Sequence, residues 1–129
     1  MKHFNIEKQQ TAIFEKFGAF FAFGQKQFDE RKKEGVTYVN AGAGLLAPKG
    51  TAEELCADLA ALSKNKIQWE LDNNSVKDII FYSLGNYECQ ISSDYSDAVD
   101  AVKYYGITEA EVAAVWPEYW NHCVDNDYF

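Results

Sequence analysis

The sequence predicts a mainly helical α+β fold in a single compact domain, residues 1–129, with a small sheet of two or three strands. Several segments repeat apolar residues at the three- and four-residue spacing of a helix face. Other segments are short and β-branched or aromatic, which is typical of strands. The chain has 129 residues, of which 47% are hydrophobic and 25% charged. Such a length and composition are typical of one soluble globular domain.

Two helices and two strands are predicted in the first part of the chain. The first helix begins after Asn5, whose side chain can cap it, and ends at Gly18. The apolar run 19–23 predicts a buried strand, with a continuation of the helix as the alternative. The polar residues 25–33 predict a second helix, and the β-branched and aromatic residues 36–39 predict a second strand.

The loop over residues 40–50 is rich in glycine and alanine. A third short strand at 44–47 is the alternative to a loop there. It contains Gly42-Ala-Gly44-Leu-Leu-Ala47, which matches the glycine pattern of dinucleotide-binding loops. Such a loop needs a helix that begins inside the motif, because the helix amides bind the phosphates. Pro48 stops that helix, and the acidic residues 53–54 would repel phosphate from the next one. We therefore predict a plain turn and no cofactor.

Helices are predicted along the rest of the chain. Residues 51–54 and 108–111 each have the Thr-x-x-Glu spacing of a capping box, and Gly106 is suited to end a helix. Pro117 lies inside the last helix and predicts a kink or a restart there. For residues 79–82, a strand is the alternative to a helix. The predicted helices cover residues 51–71, 76–87, 94–105 and 108–123.

The three cysteines, Cys56, Cys89 and Cys123, show neither metal-site nor disulfide-framework spacing. Cys56 and Cys123 fall on predicted core faces of helices, where cysteine packs as a small apolar residue. Neighbouring helical residues point about 100° apart, which disfavours a metal shared by His122 and Cys123. We predict three free thiols, no metal site and no catalytic residue.

Acidic side chains are concentrated at the end of the chain. The protein has 12 Lys and Arg against 20 Asp and Glu, a net charge of −8. Residues 1–50 carry eight basic and five acidic side chains, whereas residues 88–129 carry one and nine. The simpler interpretation of these charges is a solvated face. Because like charges side by side lower stability, the functional interpretation is a field that attracts a cationic partner. The side chains predicted to bind this partner are Asp94, Asp97, Asp100, Glu109, Glu111 and Glu118.

The composition argues against several other classes of protein. The small basic patch within residues 26–33 is interleaved with acids, so direct nucleic-acid binding is not expected. No apolar run approaches the roughly 20 residues of a membrane span. The first ten residues, MKHFNIEKQQ, lack the apolar core of a signal peptide. Together with unpaired cysteines, these features predict a cytoplasmic protein that does not bind membranes.

Three stretches carry a resemblance to a known family. They are GAFFAFGQKQFDERKKEGVTYVNAGAGLLAPK, LGNYECQIS and YYGITEAEV with the final NHCVDNDYF. The chain resembles a family of small, acidic, uncharacterised proteins carried by phages and conjugative elements of bacteria. The resemblance implies an accessory protein of a mobile element and assigns no functional residue. Small acidic proteins in that setting often inhibit host nucleic-acid enzymes, which is an analogy of charge rather than homology.

These observations predict a non-enzymatic acidic binding protein. It binds or inhibits a basic host protein, and a nucleic-acid-handling enzyme is the expected kind of partner. One alternative is a small-ligand-binding protein or enzyme with a pocket near the Gly42–Gly44 loop. Another is a self-associating structural protein, which the high aromatic content of 16% favours. The oligomeric state does not follow from the sequence.

Overall fold

The computed structural model describes residues 1–129 and has the predicted α+β class, with helices predominating over one small antiparallel sheet. The chain divides into two compact units. The N-terminal unit is residues 5–66, and the C-terminal unit combines residues 1–4 with residues 67–129. The expectation of a single domain stays a prediction.

The N-terminal unit holds the sheet and the first helices. Its elements are, in chain order, α1 (Ile6–Phe17), β1 (Phe20–Phe21), α2 (Gln25–Arg31), β2 (Tyr38–Gly42), β3 (Leu45–Pro48) and the first part of α3 (Ala52–Asn73). The signals predicted for α1 are confirmed. The Lys8 amide donates to the Asn5 side chain at 3.3 Å, and Gly18 ends the helix at a φ of +68°.

The sheet has the order β1-β3-β2, and all its pairs are antiparallel. Its central strand is β3, the strand that the sequence left open. β1 is shorter than predicted, and the prediction that residues 19–23 form a buried strand is wrong, because β1 lies at an edge of the sheet. Phe21 is therefore 38% exposed, and Phe23, just beyond the strand, is 76% exposed.

The glycine motif forms the turn between β2 and β3. Gly42, Ala43 and Gly44 have successive positive φ angles of +113°, +50° and +83°. Gly44 favours this turn because its φ of +83° is one that residues with a Cβ atom rarely adopt, and a Cβ atom there would also displace the exposed ring of Phe23. The chain continues into β3 rather than into a helix. The prediction of a plain turn is confirmed.

The core of the N-terminal unit lies between β3, α1 and the start of α3. Leu45, Ala47 and Leu55 are buried at its centre, and Ile13 and Phe14 of α1 pack against them. α3 begins after Thr51, whose hydroxyl donates to the Pro48 carbonyl at 2.7 Å and so joins the helix to the end of β3.

The C-terminal unit is helical. After the end of α3 it contains α4 (Val76–Asn86), α5 (Cys89–Ser92), α6 (Ser96–Val102), a 3-10 turn (Lys103–Tyr105) and α7 (Glu109–Asn126). The strand alternative for residues 79–82 is wrong, because Ile79, Ile80 and Leu84 have helical spacing and are fully buried. They pack with Val102 and Val112, so α4 lies at the centre of this core.

Residues 1–4 form a strap that packs on the C-terminal unit. The Lys2 amide donates to the Asn74 side chain at 2.6 Å, and the Asn74 amide group donates back to the Lys2 carbonyl at 2.8 Å. His3 lies edge-on to Tyr82, with 4.5 Å between ring centroids. Residues 1–4 therefore belong to the same compact unit as residues 67–129.

The last helix, α7, begins at the predicted capping box. The Glu111 amide donates to the Thr108 hydroxyl and the Thr108 amide donates to the Glu111 carboxylate, each at 3.3 Å. α7 runs continuously through Pro117, so the predicted restart does not occur. None of the helices has both the length and the apolar character that crossing a membrane requires.

The cysteines are free, but only two of them are buried. Cys89 is 1% exposed and Cys123 is fully buried, whereas Cys56 is exposed. The placement of Cys56 in the core is therefore wrong. Its neighbour Leu55 occupies the core face of α3, and residues adjacent on a helix point about 100° apart.

Candidate partner-binding surface

An open depression of about 450 Å³ lies where α6, the loop before it and the start of α7 meet. Three of the six predicted acidic residues, Asp94, Asp100 and Glu109, line it together with one cation, Lys103. We call it the acidic depression. Its lining residues are Ser93, Asp94, Tyr95, Ser96, Val99, Asp100, Lys103 and Glu109.

Asp94 is fixed by a local turn at the start of α6. Its carboxylate accepts hydrogen bonds from the Ser96 hydroxyl and, at 2.9 Å, from the Ser96 amide. These two bonds favour the ionised form and lower the pKa of Asp94. The charge of Asp94 therefore has a structural role as well as an exposed position.

Asp100 and Lys103 form an ion pair inside the depression, with 2.8 Å between oxygen and nitrogen. The hydrogen bond and the charge of Asp100 raise the pKa of Lys103, and the charge of Glu109 adds to that effect. The Glu109 carboxylate makes no hydrogen bond or ion pair of its own. Three carboxylates against one ammonium leave the depression with an excess of negative charge.

The other three predicted residues lie outside the depression. Asp97 is in the first turn of α6, where a carboxylate interacts favourably with the helix dipole. Glu111 belongs to the capping box of α7, and the Glu118 carboxylate pairs with the Lys77 ammonium. Each therefore has a role within the fold, and contact with a partner stays a prediction for them.

A second, apolar depression adjoins the acidic one. It measures about 410 Å³ and is lined by Ser93, Trp116, Pro117, Trp120 and Asn121. We call it the aromatic groove. Ser93 lines both depressions, so they meet at this residue.

Ring contacts hold the indoles of the groove in place. The centroid of Trp116 lies 5.2 Å from that of Tyr95, which lines the acidic depression, and 5.7 Å from that of Trp120. On its other side Trp120 packs against Phe129 at 5.2 Å. Both indoles are partly buried and keep part of their surface open to solvent.

The aromatic groove is not among the sites predicted from the sequence. Trp116 and Trp120 are four residues apart in α7, so a helix presents them on one face. That spacing is a signal for a shared surface. The participation of Ser93 has no such signal, because it depends on how α6 and α7 pack.

The arrangement is suited to binding a cation. Its carboxylates are exposed, whereas acid–base catalysis at neutral pH usually needs a carboxylate in an apolar environment. His122 and Cys123 point apart, since His122 packs on the rings of Phe81 and Tyr128 while Cys123 is in the core. The surface therefore combines negative charge with flat aromatic area.

Comparison with known proteins supplies the family of this chain. No curated protein and no solved structure matches it. A family of unknown function, DUF7659, matches residues 2–122, a range that includes the N-terminal unit, most of the C-terminal unit and all the residues lining the two depressions. Because this match covers nearly the whole sequence, the chain belongs to the DUF7659 family.

Proposed function

We propose that this protein is a non-enzymatic, cytoplasmic binding protein whose acidic depression attracts a basic surface of a partner protein. The observation that supports the proposal is the gathering of Asp94, Asp100 and Glu109, from three segments of the C-terminal unit, around a single lysine. Complementary charge accelerates encounter and disfavours wrong partners.

The fold has little need for two of these charges. Asp100 and Glu109 are exposed, and exposed charges contribute little to stability. Asp100 interacts with Lys103 in the next turn. Glu109 makes no hydrogen bond or ion pair, and only its position in the first turn of α7 and its longer-range attraction to Lys103 favour its charge. Their proximity is unfavourable in the free protein, and a cation from a partner would relieve it.

The family resemblance indicates what kind of partner to expect. An accessory protein of a phage or conjugative element meets host enzymes that handle nucleic acid. Such enzymes carry basic surfaces that bind phosphates. An acidic protein that covers one of these surfaces competes with the nucleic acid, which makes inhibition the expected consequence of binding.

A charge-reversal experiment tests this proposal. A partner is captured from the host cell with the intact protein, identified and purified, and its association rate is measured between 50 and 300 mM salt. Over that range the Debye length falls from about 14 to 6 Å, so association with the unaltered protein should slow steeply. The variant carrying Asp100→Lys and Glu109→Lys should associate at least tenfold more slowly at 50 mM salt. Asp94 is left unchanged because it forms the turn before α6.

A control with the same change in net charge distinguishes a local site from general acidity. Asp72→Lys with Asp125→Lys reverses two exposed charges in the last turns of α3 and α7, where cations are favoured. Neither residue lines the two depressions. The control should melt within about 2 °C of the parent. The test variant should stay folded but melt roughly 2–8 °C lower, because it places a lysine in the first turn of α7 and removes the Asp100–Lys103 ion pair. Equal slowing by both variants would overturn the assignment to this depression, and no slowing by either would overturn the proposal.

A further inference from the structure

The aromatic groove has an apolar surface and an acidic neighbour. Trp116, Pro117 and Trp120 supply the apolar surface, and Ser93 is the residue that lines both the groove and the acidic depression. A ligand that lies on the indole rings and extends past Ser93 therefore comes near the carboxylates of the acidic depression. This combination restricts the chemistry of a suitable occupant.

We infer that the groove binds an arginine side chain of the partner, with its guanidinium against the indoles and its N–H groups directed at the carboxylates of the acidic depression. The inference rests on the proposed function and names the residue of the partner that this site recognises. A guanidinium is flat and delocalised, stacks on aromatic rings and donates several hydrogen bonds in one plane.

Charge complementarity favours this occupant over a purely apolar one. An apolar side chain would fill the groove but leave the nearby carboxylates without a counter-charge. The Glu109 carboxylate has no hydrogen-bonding partner within the protein, and Asp100 has only the exposed ammonium of Lys103. An arriving guanidinium can pair with Glu109 directly or replace Lys103 at Asp100.

The aromatic part of the site favours arginine over lysine. Tyr95, Trp116 and Trp120 form a continuous series of ring contacts, so Trp116 is held between two neighbours. Rings held in this way lose little conformational freedom when a ligand stacks on them. Lysine offers a compact, strongly hydrated ammonium, which gains less from such a surface.

Tryptophan fluorescence gives a direct test, because the chain has three tryptophans and two of them line the groove. Trp69→Phe leaves only the groove indoles, so every change in emission then reports on this site. The probes are two blocked pentapeptides, Gly-Arg-Leu-Arg-Gly and Gly-Lys-Leu-Lys-Gly, which carry the same charge. We expect the arginine peptide to change the emission and to bind about three to ten times more tightly than the lysine peptide.

Two further variants, made in the Trp69→Phe protein, locate the contact. Trp120→Leu keeps apolar bulk but removes one indole, so the preference for arginine should fall at least threefold. Asn121→Lys places a cation on an exposed residue of the groove without altering the core, and it should weaken binding of the arginine peptide even if Trp120→Leu disturbs folding. Asp125→Lys, on the same helix but outside the groove, is the matched charge control and should have less than half that effect.

The outcomes separate this inference from the proposed function. Equal affinities of the two peptides in the emission titration would show contact by charge alone and would overturn the arginine assignment while leaving the acidic surface in place. Absence of binding by either peptide would also overturn it. The proposed function is decided separately, by the association rate of the captured partner with the Asp100→Lys, Glu109→Lys variant.

Discussion

At the scale of single residues, the acidic side chains that look alike in the sequence have different environments. Asp94 holds a turn, Glu111 caps a helix and Glu118 pairs with a lysine, whereas Glu109 makes no hydrogen bond or ion pair. Their spacing in the sequence does not distinguish these carboxylates from one another. The fold does, because it shows which of them stabilise an element and which are open to a partner. Asp100 and Glu109 are therefore the most informative positions to mutate.

The cysteines give a residue-scale prediction. In the native protein, a soluble alkylating reagent should modify Cys56 quickly and leave Cys89 and Cys123 protected, because these two thiols are buried. Burial also raises the pKa of Cys89, and the nearby charges of Asp97 and Asp94 add to this, so its thiol stays protonated to higher pH. Mass spectrometry should find one modification in the native state and three after denaturation under non-reducing conditions. Rapid native modification at Cys89 or Cys123 would contradict this account of the core.

At the scale of elements, α7 has a well-capped first turn but also contains a residue that opposes helix formation. The capping box at Thr108 satisfies backbone donors at its first turn. Pro117, nine residues further along, has no amide hydrogen to donate to the Ala113 carbonyl. The helix remains continuous because Val112, Tyr119 and Cys123 bury its inner face in the core.

Removing the cap should weaken α7. Thr108→Ala removes the hydroxyl that accepts from the Glu111 amide, so we expect a loss of about 1 kcal/mol in the free energy of unfolding. Glu111→Gln should cost less than half of that, since its amide oxygen can still accept from the Thr108 amide. Urea denaturation of the two variants checks the comparison. Equal losses would mean that the charge of Glu111, rather than its hydrogen bond, supports the helix.

Replacing the proline should have the opposite effect. Pro117→Ala restores a backbone donor for the Ala113 carbonyl and removes a steric conflict, so we expect the free energy of unfolding to rise by about 1–3 kcal/mol. Asn121→Ala, an exposed change one turn later, is the control and should alter stability by less than about 0.5 kcal/mol. A lower melting temperature for Pro117→Ala would show that the proline ring contributes packing that outweighs its cost.

The elements that could be predicted from the sequence are those whose signals are local. Asn5, Gly18, Gly106 and the capping box at Thr108 act within a few residues, and all have their predicted roles. The central position of β3 depends on pairing with two other strands, which no local pattern encodes.

The candidate site could be predicted only in part, for the same reason. Spacing identified Asp94 and Asp100, but their meeting with Glu109, and the meeting of Ser93 with Trp116, depend on how the helices pack.

At the scale of the whole molecule, acidity belongs mainly to the C-terminal unit. The last 42 residues, 88–129, hold nine acidic side chains and one lysine, whereas the first 50 hold eight basic and five acidic ones. The proposed partner surface thus lies on the unit whose core is α4, α6 and α7. The strap, residues 1–4, is the contribution of the first part of the chain to that unit.

The strap gives a prediction at this scale. Asn74→Ala removes both hydrogen bonds to Lys2 and one to the Glu70 carbonyl, so the amides of residues 2–4 should exchange with solvent at least tenfold faster. Asn73→Ala is the matched control, because its side chain donates only to the Trp69 carbonyl within the same helix. Hydrogen exchange followed by mass spectrometry compares the two variants. Equal protection of residues 2–4 in both would show that the aromatic contacts of His3 and Phe4 are sufficient to hold the strap.

The strap also affects how the chain folds as it is synthesised. Residues 1–4 leave the ribosome before the N-terminal unit, yet their contacts Trp69, Asn74 and Tyr82 follow only after the whole of that unit. That unit is continuous in sequence, so it can complete its sheet and core while the later helices are still being made. The strap cannot dock until α4 has been made. Docking then closes a long loop, and only the contacts with α4 offset the chain entropy that this closure costs. Order of synthesis and order of assembly are therefore reversed at the start of this chain.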